Sequence, residues 1–417
     1  MKRIVYIAWL AGALAGVNAC QEKEYDLIVS ATDDYTGDAA ADYHSREGID
    51  VSMYAKARIF PGLVDTAAEE RLDEVIIELD LTRKALSAAN MNLAYLPSAI
   101  YSTGLYAGAG EKITVQMDED IKGLSVQVGI HTRDISSLEA IERDPLLTTT
   151  MPLFRGKTEI RNPWGGYIWI NRSGSDGADR PAFPLKISGA YAAPDFVPGE
   201  TRADAWVEKI KATSVPWIEL RGEHYVFSVP AKYIQKKVNE SGETFAARLE
   251  EALGLWDEWM RCIYDFHGLD DTDPDFPLPD YPVRAVMDVH LQNERYSYYN
   301  VNLVELLQTE ELIDMITTPE AIKRGDQNTV HLMGWLQLYI LKQARSINTF
   351  ATLPDAFSTV YPLLPNFYFL YKNGWWEGTN RVVRQYRVGG TQVIQWGTSH
   401  EMTIENVQNL ISFAAAD

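Results

Sequence analysis

The first half of the chain contains short stretches in which apolar and polar residues alternate. Lys112–Met117 and Leu124–His131 place apolar residues at every second position, and Tyr167–Ile170 and Phe183–Ile187 continue the series. Clusters of Gly, Pro, Asn and Ser separate these stretches. A period of two with turn residues at short intervals is typical of antiparallel strands. The pattern therefore predicts an antiparallel β-sandwich domain over residues 99–200.

Longer-period patterns lie on both sides of this region. Glu69–Ala89 is rich in Glu, Leu, Ala, Lys and Arg and predicts a first helix, within a tether and N-terminal helical segment at residues 20–98. Trp217–Leu220 and Tyr225–Val229 predict a β-hairpin. Helical spacing then predicts three further helices, at Phe245–Ile263, Asn302–Ile316 and Thr329–Ser346. We therefore expect an α+β protein whose second domain, residues 201–417, is mainly helical.

The N-terminus has the pattern of a targeting sequence. Two basic residues, Lys2 and Arg3, precede an apolar run at Ile4–Val17, and small residues follow. This arrangement predicts a secretory signal peptide at residues 1–19. The next residue, Cys20, stands where a bacterial lipoprotein carries its lipid, so we expect it to be lipidated.

The residues after Cys20 indicate a location. Gln21–Asp26 is acidic and resembles the stretch that directs lipoproteins of the Bacteroides group to the cell surface. We therefore expect a lipoprotein of the outer membrane, exposed on the cell surface, that contacts the membrane through its N-terminal lipid only. Two alternatives remain: an uncleaved apolar N-terminus, and a plain secreted protein cut near Ala19.

Composition adds two exclusions. The 417 residues include 58 acidic and 38 basic ones, which gives a net charge of −20. Such a surface repels phosphate backbones, so nucleic acid is not an expected partner. The chain has two cysteines, Cys20 and Cys262, and no disulfide framework is predicted. With Cys20 lipidated, Cys262 is expected to be a small buried apolar residue.

Six segments, in sequence order, carry a family resemblance: Ser102–Glu111, Leu124–His131, Arg161–Ile170, Val215–Leu220, Arg284–Val289 and Trp396–Met402. The third contains Asn-Pro-x-Gly-Gly, the fourth Pro-Trp-x-Glu, and the fifth has the form of a strand that ends in Asp. Together they resemble the M60-like, or enhancin-like, zinc metallopeptidase family. The resemblance implies a β-sandwich followed by a gluzincin-like catalytic domain. It also implies a zinc cofactor and hydrolysis of O-glycosylated host proteins such as mucins.

The resemblance assigns chemistry to the last segment. Zinc peptidases of this kind carry His-Glu-x-x-His on a helix, where the histidines bind zinc and the glutamate acts as general base. His400 is then the first metal ligand and Glu401 the catalytic base. The second ligand position holds Ile404, which has no lone pair, and Glu405 next to it points off the ligand face. The metal motif is therefore expected to be incomplete in this chain.

A second function remains open beside the peptidase. Thr398 and Glu401 form a capping box for a helix whose apolar face includes Ile404, and that explains the segment without any metal. The alternative is a non-catalytic surface lipoprotein that binds host glycoprotein or glycan through the same scaffold. Four tryptophans could stack on sugar rings in either case, although aromatic side chains more often pack in the core: Trp164, Trp169, Trp375 and Trp376.

Two further possibilities remain open. Three other histidines could in principle replace the missing ligand, although lone histidines are usually surface or core residues: His224, His290 and His331. A pair of carboxylates for glycoside hydrolysis is also possible, because such pairs meet only in the folded chain.

Overall fold

The computed structural model describes residues 57, 59–84, 86, 96–173, 180–266, 269–274, 277–291, 296–299 and 303–324. All of them belong to one compact unit, Tyr54–Asp417. Several sequence predictions lie outside the described residues: the signal peptide, Cys20, the helix at Thr329–Ser346, His331, and the segment with His400, Glu401 and Ile404. The side chain of Cys262 also lies outside them.

The predicted short strands form two antiparallel sheets. The strands are β1 (Val75–Leu79), β2 (Ile100–Ala107), β3 (Lys112–Met117), β4 (Leu124–Val128), β5 (Thr149–Pro152), β6 (Gly156–Arg161), β7 (Gly166–Arg172), β8 (Phe183–Ser188) and β9 (Tyr191–Ala192). One sheet has the order β1-β8-β3-β6 and the other β5-β4-β7-β2-β9. Apolar residues of both sheets, such as Val115 and Ile168, share one buried core. The two sheets therefore pack as in a β-sandwich, and the predicted alternation is confirmed.

The helix predicted at Glu69–Ala89 is wrong. Residues Val75–Leu79 form β1, which pairs antiparallel with β8 along its whole length. Helix propensity is a weak prior, and a partner strand overrides it. The β-branched Val75, Ile76 and Ile77 suit a pleated surface, and Leu79 is fully buried in the sandwich core.

A third sheet follows, with helices packed against it. Its strands are β10 (Trp217–Arg221), β11 (Tyr225–Pro230), β12 (Val283–Asp288), β13 (Tyr296–Tyr299) and β14 (Leu303–Leu307), in the order β10-β11-β12-β14-β13. The described helices are α1 (Ala203–Ala212), α2 (Ala231–Ser241), α3 (Glu243–Phe266), α4 (Glu310–Thr317) and α5 (Pro319–Arg324). β11, β12 and β14 run parallel, whereas β10 and β13 are antiparallel to their neighbours. The predicted hairpin and the helix at Phe245–Ile263 are confirmed.

The prediction of a mainly helical second domain matches only in part: residues 201–324 do contain helices α1–α5, but these pack against a five-stranded sheet in a mixed α/β structure. The clearest error is Asn302–Ile316, which contains strand β14 before helix α4 begins. β14 lies between two other strands, and Leu303, Val304 and Leu306 are all buried. A strand buried on both faces loses the period of two, so its sequence resembles a helix.

One large core joins the two parts of the fold. It contains Tyr106 and Tyr167 from the sandwich together with Phe227 of β11 and Trp256 of α3. Trp256 is fully buried, and its indole nitrogen donates to the carbonyl of Ile316 at 3.0 Å. In the part of the chain that the structure describes, no helix combines the length and apolarity of a membrane span.

The Asn-Pro-x-Gly-Gly segment has a structural role. Asn162 is buried, and its side-chain nitrogen donates to the carbonyls of Val128 (2.9 Å) and Leu147 (2.8 Å). Its side-chain oxygen accepts from the backbone nitrogen of Trp164 at 2.7 Å. The asparagine therefore ties the turn before β7 to the end of β4 and to the connection that follows it.

The second glycine of this segment gives a stability prediction. Gly166 has φ of 136°, and a Cβ there would lie 2.6 Å from the Cα of Gly129. Backbone atoms in a packed sheet cannot move aside, so Gly166→Ala is expected to lower the free energy of unfolding by more than about 3 kcal/mol.

Gly199→Ala is the matched control. Gly199 also has a positive φ, 74°, but an added Cβ would meet no atom within 4 Å. Gly199→Ala should lower the free energy of unfolding only by the cost of the left-handed backbone conformation, about 1–2 kcal/mol. Urea denaturation measures both variants, and equal losses would contradict the close contact at Gly166.

Candidate functional site

Three potential metal ligands meet near the carboxyl end of β12. Asp288 ends β12, and Glu305 in β14 lies on the same face of the sheet, since Val286 and Glu305 are paired in register. His290 follows two residues after Asp288. All three residues are buried, and one ligand atom from each lies within 4.8 Å of the others.

The imidazole of His290 lies between the two carboxylates. Its Nδ1 is 2.9 Å from Asp288 Oδ1, and its Nε2 is 3.4 Å from Glu305 Oε2. Nδ1 is out of line for a conventional hydrogen bond, so the contact with Asp288 is ionic. The backbone nitrogen of His290 also donates to Asp288 Oδ1, at 3.2 Å.

Two arginines from the sandwich complete the group. Both lie in residues 129–148, the β4–β5 connection. Arg143 is buried, and its Nε donates to both carboxylate oxygens of Asp288 at 2.9 Å. Arg133 Nη1 donates to Glu305 Oε2 at 3.0 Å and lies 3.2 Å from His290 Nε2. We call these five residues, Arg133, Arg143, Asp288, His290 and Glu305, the charge cluster.

Within the charge cluster, Asp288 and His290 are held in charged form. Burial acts to raise the pKa of Asp288, but the contacts with His290, His131 and Arg143 outweigh it and hold that pKa well below its usual range. Burial acts to lower the pKa of His290, but Asp288 and Glu305 raise it to about 9. A general acid or base works best with a pKa near the operating pH. These groups therefore suit fixed charge better than proton transfer.

The charge cluster does not fit a zinc ion as it stands. One imidazole and two carboxylates are a donor set that zinc accepts. Here, however, Arg143 occupies both oxygens of Asp288, and Arg133 occupies Glu305 Oε2 and lies beside His290 Nε2. A metal at this place would break those hydrogen bonds and lie next to two guanidinium charges.

A second buried ion pair joins the sandwich to the third sheet. Glu219 of β10 is fully buried, and its Oε1 accepts from Arg284 Nη1 (2.9 Å) and from the indole nitrogen of Trp169 (2.8 Å). Arg284 Nη2 donates to the carbonyl of Ile100 (3.0 Å) and to Ser102 Oγ (2.9 Å). Trp169, also fully buried, is therefore part of this junction and cannot stack on a sugar.

Asp195 extends the same junction. Its Oδ1 accepts from the backbone nitrogen of Glu219 at 2.8 Å, and its Oδ2 accepts from the Tyr167 hydroxyl at 2.5 Å. Arg221 Nε is 3.6 Å from Oδ2. Burial raises the pKa of Asp195 to about 7, Arg221 opposes this shift, and Glu219 adds to it.

A cavity of about 950 Å³ opens at the amino end of β12. Its acidic lining consists of Glu78, Asp80, Glu200, Glu223, Asp257, Asp271 and Asp280. Asp257 accepts from the backbone nitrogens of Glu223 and His224 at 2.8 Å each, and Asp280 accepts from that of Lys84 at 2.6 Å. His224 Nε2 accepts a hydrogen bond from Arg261 at 3.1 Å, so its lone pair is used within the protein. These groups hold neighbouring loops together.

Two residues that the sequence analysis singled out lie in the charge cluster. Asp288 does end a strand, as the resemblance implies, and His290, one of the three other histidines, lies in the charge cluster. The sequence analysis missed Glu305 and both arginines. A strand-terminal Asp with His two residues later was the available signal. Arg133 and Arg143 lie about 150 positions earlier in the chain, and no local pattern connects them to Asp288. His400, Glu401 and Cys20 lie outside the described residues and stay predictions.

Comparison with sequence families identifies the class of these domains. Residues 82–188 match the model of the N-terminal domain of M60-like peptidases. Residues 189–320 match that of peptidase M60, enhancin and enhancin-like proteins. This part of the chain therefore consists of M60-like peptidase domains.

Solved structures share the fold. The M60 catalytic domain of ZmpC from Clostridium perfringens, in complex with the sialyl T antigen, superposes with a TM-score of 0.53 at 16% identity, over 82% of this chain and 74% of that one. A metallopeptidase from Bacteroides thetaiotaomicron gives a TM-score of 0.52 at 14% identity, over 72% of this chain and 47% of that one.

The curated relatives are named for association with a channel and not as peptidases. A TRPM8 channel-associated factor homolog from Danio rerio is 27% identical over 238 residues, 56% of this chain and 24% of the relative. TRPM8 channel-associated factor 1 from Homo sapiens is 30% identical over 237 residues, 56% of this chain and 23% of the relative. The chain thus matches about a quarter of the length of these relatives.

Asp195, at the junction of the sandwich and the third sheet, gives a prediction of how stability depends on pH. In the unfolded chain Asp195 has a pKa of about 3.9. Its pKa in the folded protein is about 7. The folded state therefore binds more protons between these values, and the contribution of Asp195 to stability falls as pH rises through this range.

Asp195→Asn should remove this contribution, so that the variant loses less stability than the wild type between pH 4.5 and 7.5. Urea denaturation at several pH values measures the slope. Asp204→Asn is the control, because Asp204 is exposed and its pKa is lowered by Arg202. Parallel stability curves for wild type and Asp195→Asn would contradict the assignment.

Proposed function

We propose that the protein is an M60-like zinc metallopeptidase that acts on O-glycosylated host proteins such as mucins. The observation that carries the proposal is the pair of adjoining family matches over residues 82–320, in the order sandwich domain and then peptidase domain. This order agrees with the architecture, in which a β-sandwich precedes the mixed sheet. The sialyl T antigen bound by the ZmpC catalytic domain supports an O-glycosylated substrate for this chain as well.

The catalytic roles fall to the segment after the described domains. His400 would be the first metal ligand and Glu401 the general base. A bound zinc ion would supply a polarised water for peptide hydrolysis. The described residues would supply a rigid support, because catalytic groups must be held by well-packed elements. The charge cluster is not this zinc site, since its donors are used by Arg133 and Arg143.

A second candidate function is non-catalytic binding of host glycoprotein or glycan by a surface lipoprotein. Ile404 favours it, because isoleucine at the second ligand position leaves the metal motif incomplete. Metal affinity should then be weak, since a zinc site needs three protein ligands. The two functions differ in whether a bound glycopeptide is cut.

Cleavage of an O-glycosylated peptide tests the first function. Glu401→Gln should abolish cleavage without unfolding the protein, because the amide cannot take a proton from water. Glu405→Gln is the matched control and should cleave like the wild type. Mass spectrometry of the products measures activity. Cleavage that survives Glu401→Gln would contradict the role of Glu401, whereas binding without cleavage by the wild type would favour the second function.

Lipidation at Cys20 would place either function on the cell surface. Cys20→Ser should shift the protein from the membrane fraction to the soluble fraction, because a lipid chain supplies the anchor. Immunoblotting of separated fractions measures this, and Cys262→Ser is the control that should remain with the membrane. Unchanged fractionation of Cys20→Ser would contradict the lipoprotein assignment.

A further inference from the structure

The charge cluster has the composition of a metal site but already contains its own cations. Three ligand atoms from Asp288, His290 and Glu305 lie within 4.8 Å of one another in a buried place. Two buried carboxylates need positive charge beside them. Arg143, with a side chain 0% exposed, and Arg133, with one 24% exposed, supply it.

The hydrogen-bond geometry shows that the arginines use the atoms that a metal would need. Arg143 Nε donates to both oxygens of Asp288, and Arg133 Nη1 reaches both Glu305 Oε2 and the vicinity of His290 Nε2. Arg143 is itself fixed by further bonds from Nη1 to the carbonyl of Asp144 (2.8 Å) and from Nη2 to that of Arg133 (3.3 Å). These bonds hold the two ends of the Arg133–Asp144 segment together and tie the β4–β5 connection to Asp288.

The position of the cluster in the chain indicates what it controls. Asp288 is the last residue of β12 and Glu305 is the middle residue of β14, so the two residues lie in the strands on either side of the segment that contains β13. β13 lies at one end of the strand order and contacts β14 through antiparallel pairing. Arginines that bind both Asp288 and Glu305 therefore tie β12 and β14 to the β4–β5 connection.

We propose that Arg133 and Arg143 take the place of a metal ion in the charge cluster and act as positioning residues that hold β12 and β14 to the β4–β5 connection. Removal of the guanidinium groups should loosen these two strands and expose the carboxylates and imidazole as a metal site. Any effect on peptide cleavage rests on the proposed function, but the two measurements below do not.

Hydrogen exchange of the full-length protein tests the positioning role. Arg133→Ala should speed amide exchange in the β4–β5 connection and in β14 by about tenfold or more, while α3 stays unchanged. Arg143→Ala should do the same, and Arg143→Lys should restore part of the protection, because it keeps the charge but loses the paired geometry. Arg202→Ala, which removes an exposed ion pair with Asp204, is the matched control.

The outcomes of the exchange experiment are distinct. Faster exchange confined to the two segments, with partial rescue by lysine, supports positioning. Unchanged protection in Arg133→Ala, or a uniform increase that includes α3, would overturn it. Because Arg133 is partly exposed, its alanine variant keeps the test decisive if Arg143→Ala does not fold.

Zinc titration tests the substitution of metal by arginine. The double variant Arg133→Ala/Arg143→Ala should bind one more zinc per chain than the wild type, and adding His290→Ala should abolish this gain. In the wild type, His290→Ala should leave the zinc content unchanged. A wild-type zinc content that falls with His290→Ala, or no gain in a folded double variant, would sink the inference. Zinc held through His400 is unaffected by His290→Ala, so a failure of the proposed function is recognised separately.

Discussion

The buried ion pair between Glu219 and Arg284 determines how the two parts of the fold meet. Removing two charges from water costs several kcal/mol for each ion unless hydrogen bonds compensate. The compensating partners come from the sandwich: the indole of Trp169, the hydroxyl of Ser102 and the carbonyl of Ile100. A shift of the sandwich relative to the third sheet would leave these charges unpaired. These hydrogen bonds therefore restrain the relative placement of the two parts, which the shared apolar core also holds together.

A second electrostatic contact ties the other end of strand β12 to the sandwich. Arg284 and Asp288 are separated by four positions in β12, or roughly 13 Å along an extended strand. Arg284 contacts the sandwich strand β2, whereas Asp288 contacts the β4–β5 connection through Arg143. β12 is thus held to the sandwich at both of its ends. Two fixed points restrain the orientation of β12 as well as its position.

The family match accounts for the fold of the described residues, and the chemistry of the charge cluster indicates a structural role within that fold. M60-like peptidase domains account for the order of sandwich and mixed sheet. The charge cluster within them has a structural role and is not poised for proton transfer, since the pKa of Asp288 is held low and that of His290 is raised to about 9. The chemistry of a peptidase would then depend on groups supplied by the later segment that contains His400 and Glu401.

The sequence by itself determined the strands whose faces differ. β3 and β4 follow from alternation, and the β10–β11 hairpin follows from two short apolar runs on either side of turn residues. The sequence misled at β1, where a helix-like composition conceals a strand whose partner β8 lies far along the chain. It also misled at β14, where four of the five residues are apolar and no alternation marks the strand. The charge cluster could not be derived either. Only the tertiary structure brings Arg133 and Arg143 to Asp288 and Glu305, because hydrogen bonding between buried charges depends on distance in space and leaves no periodic trace in the sequence.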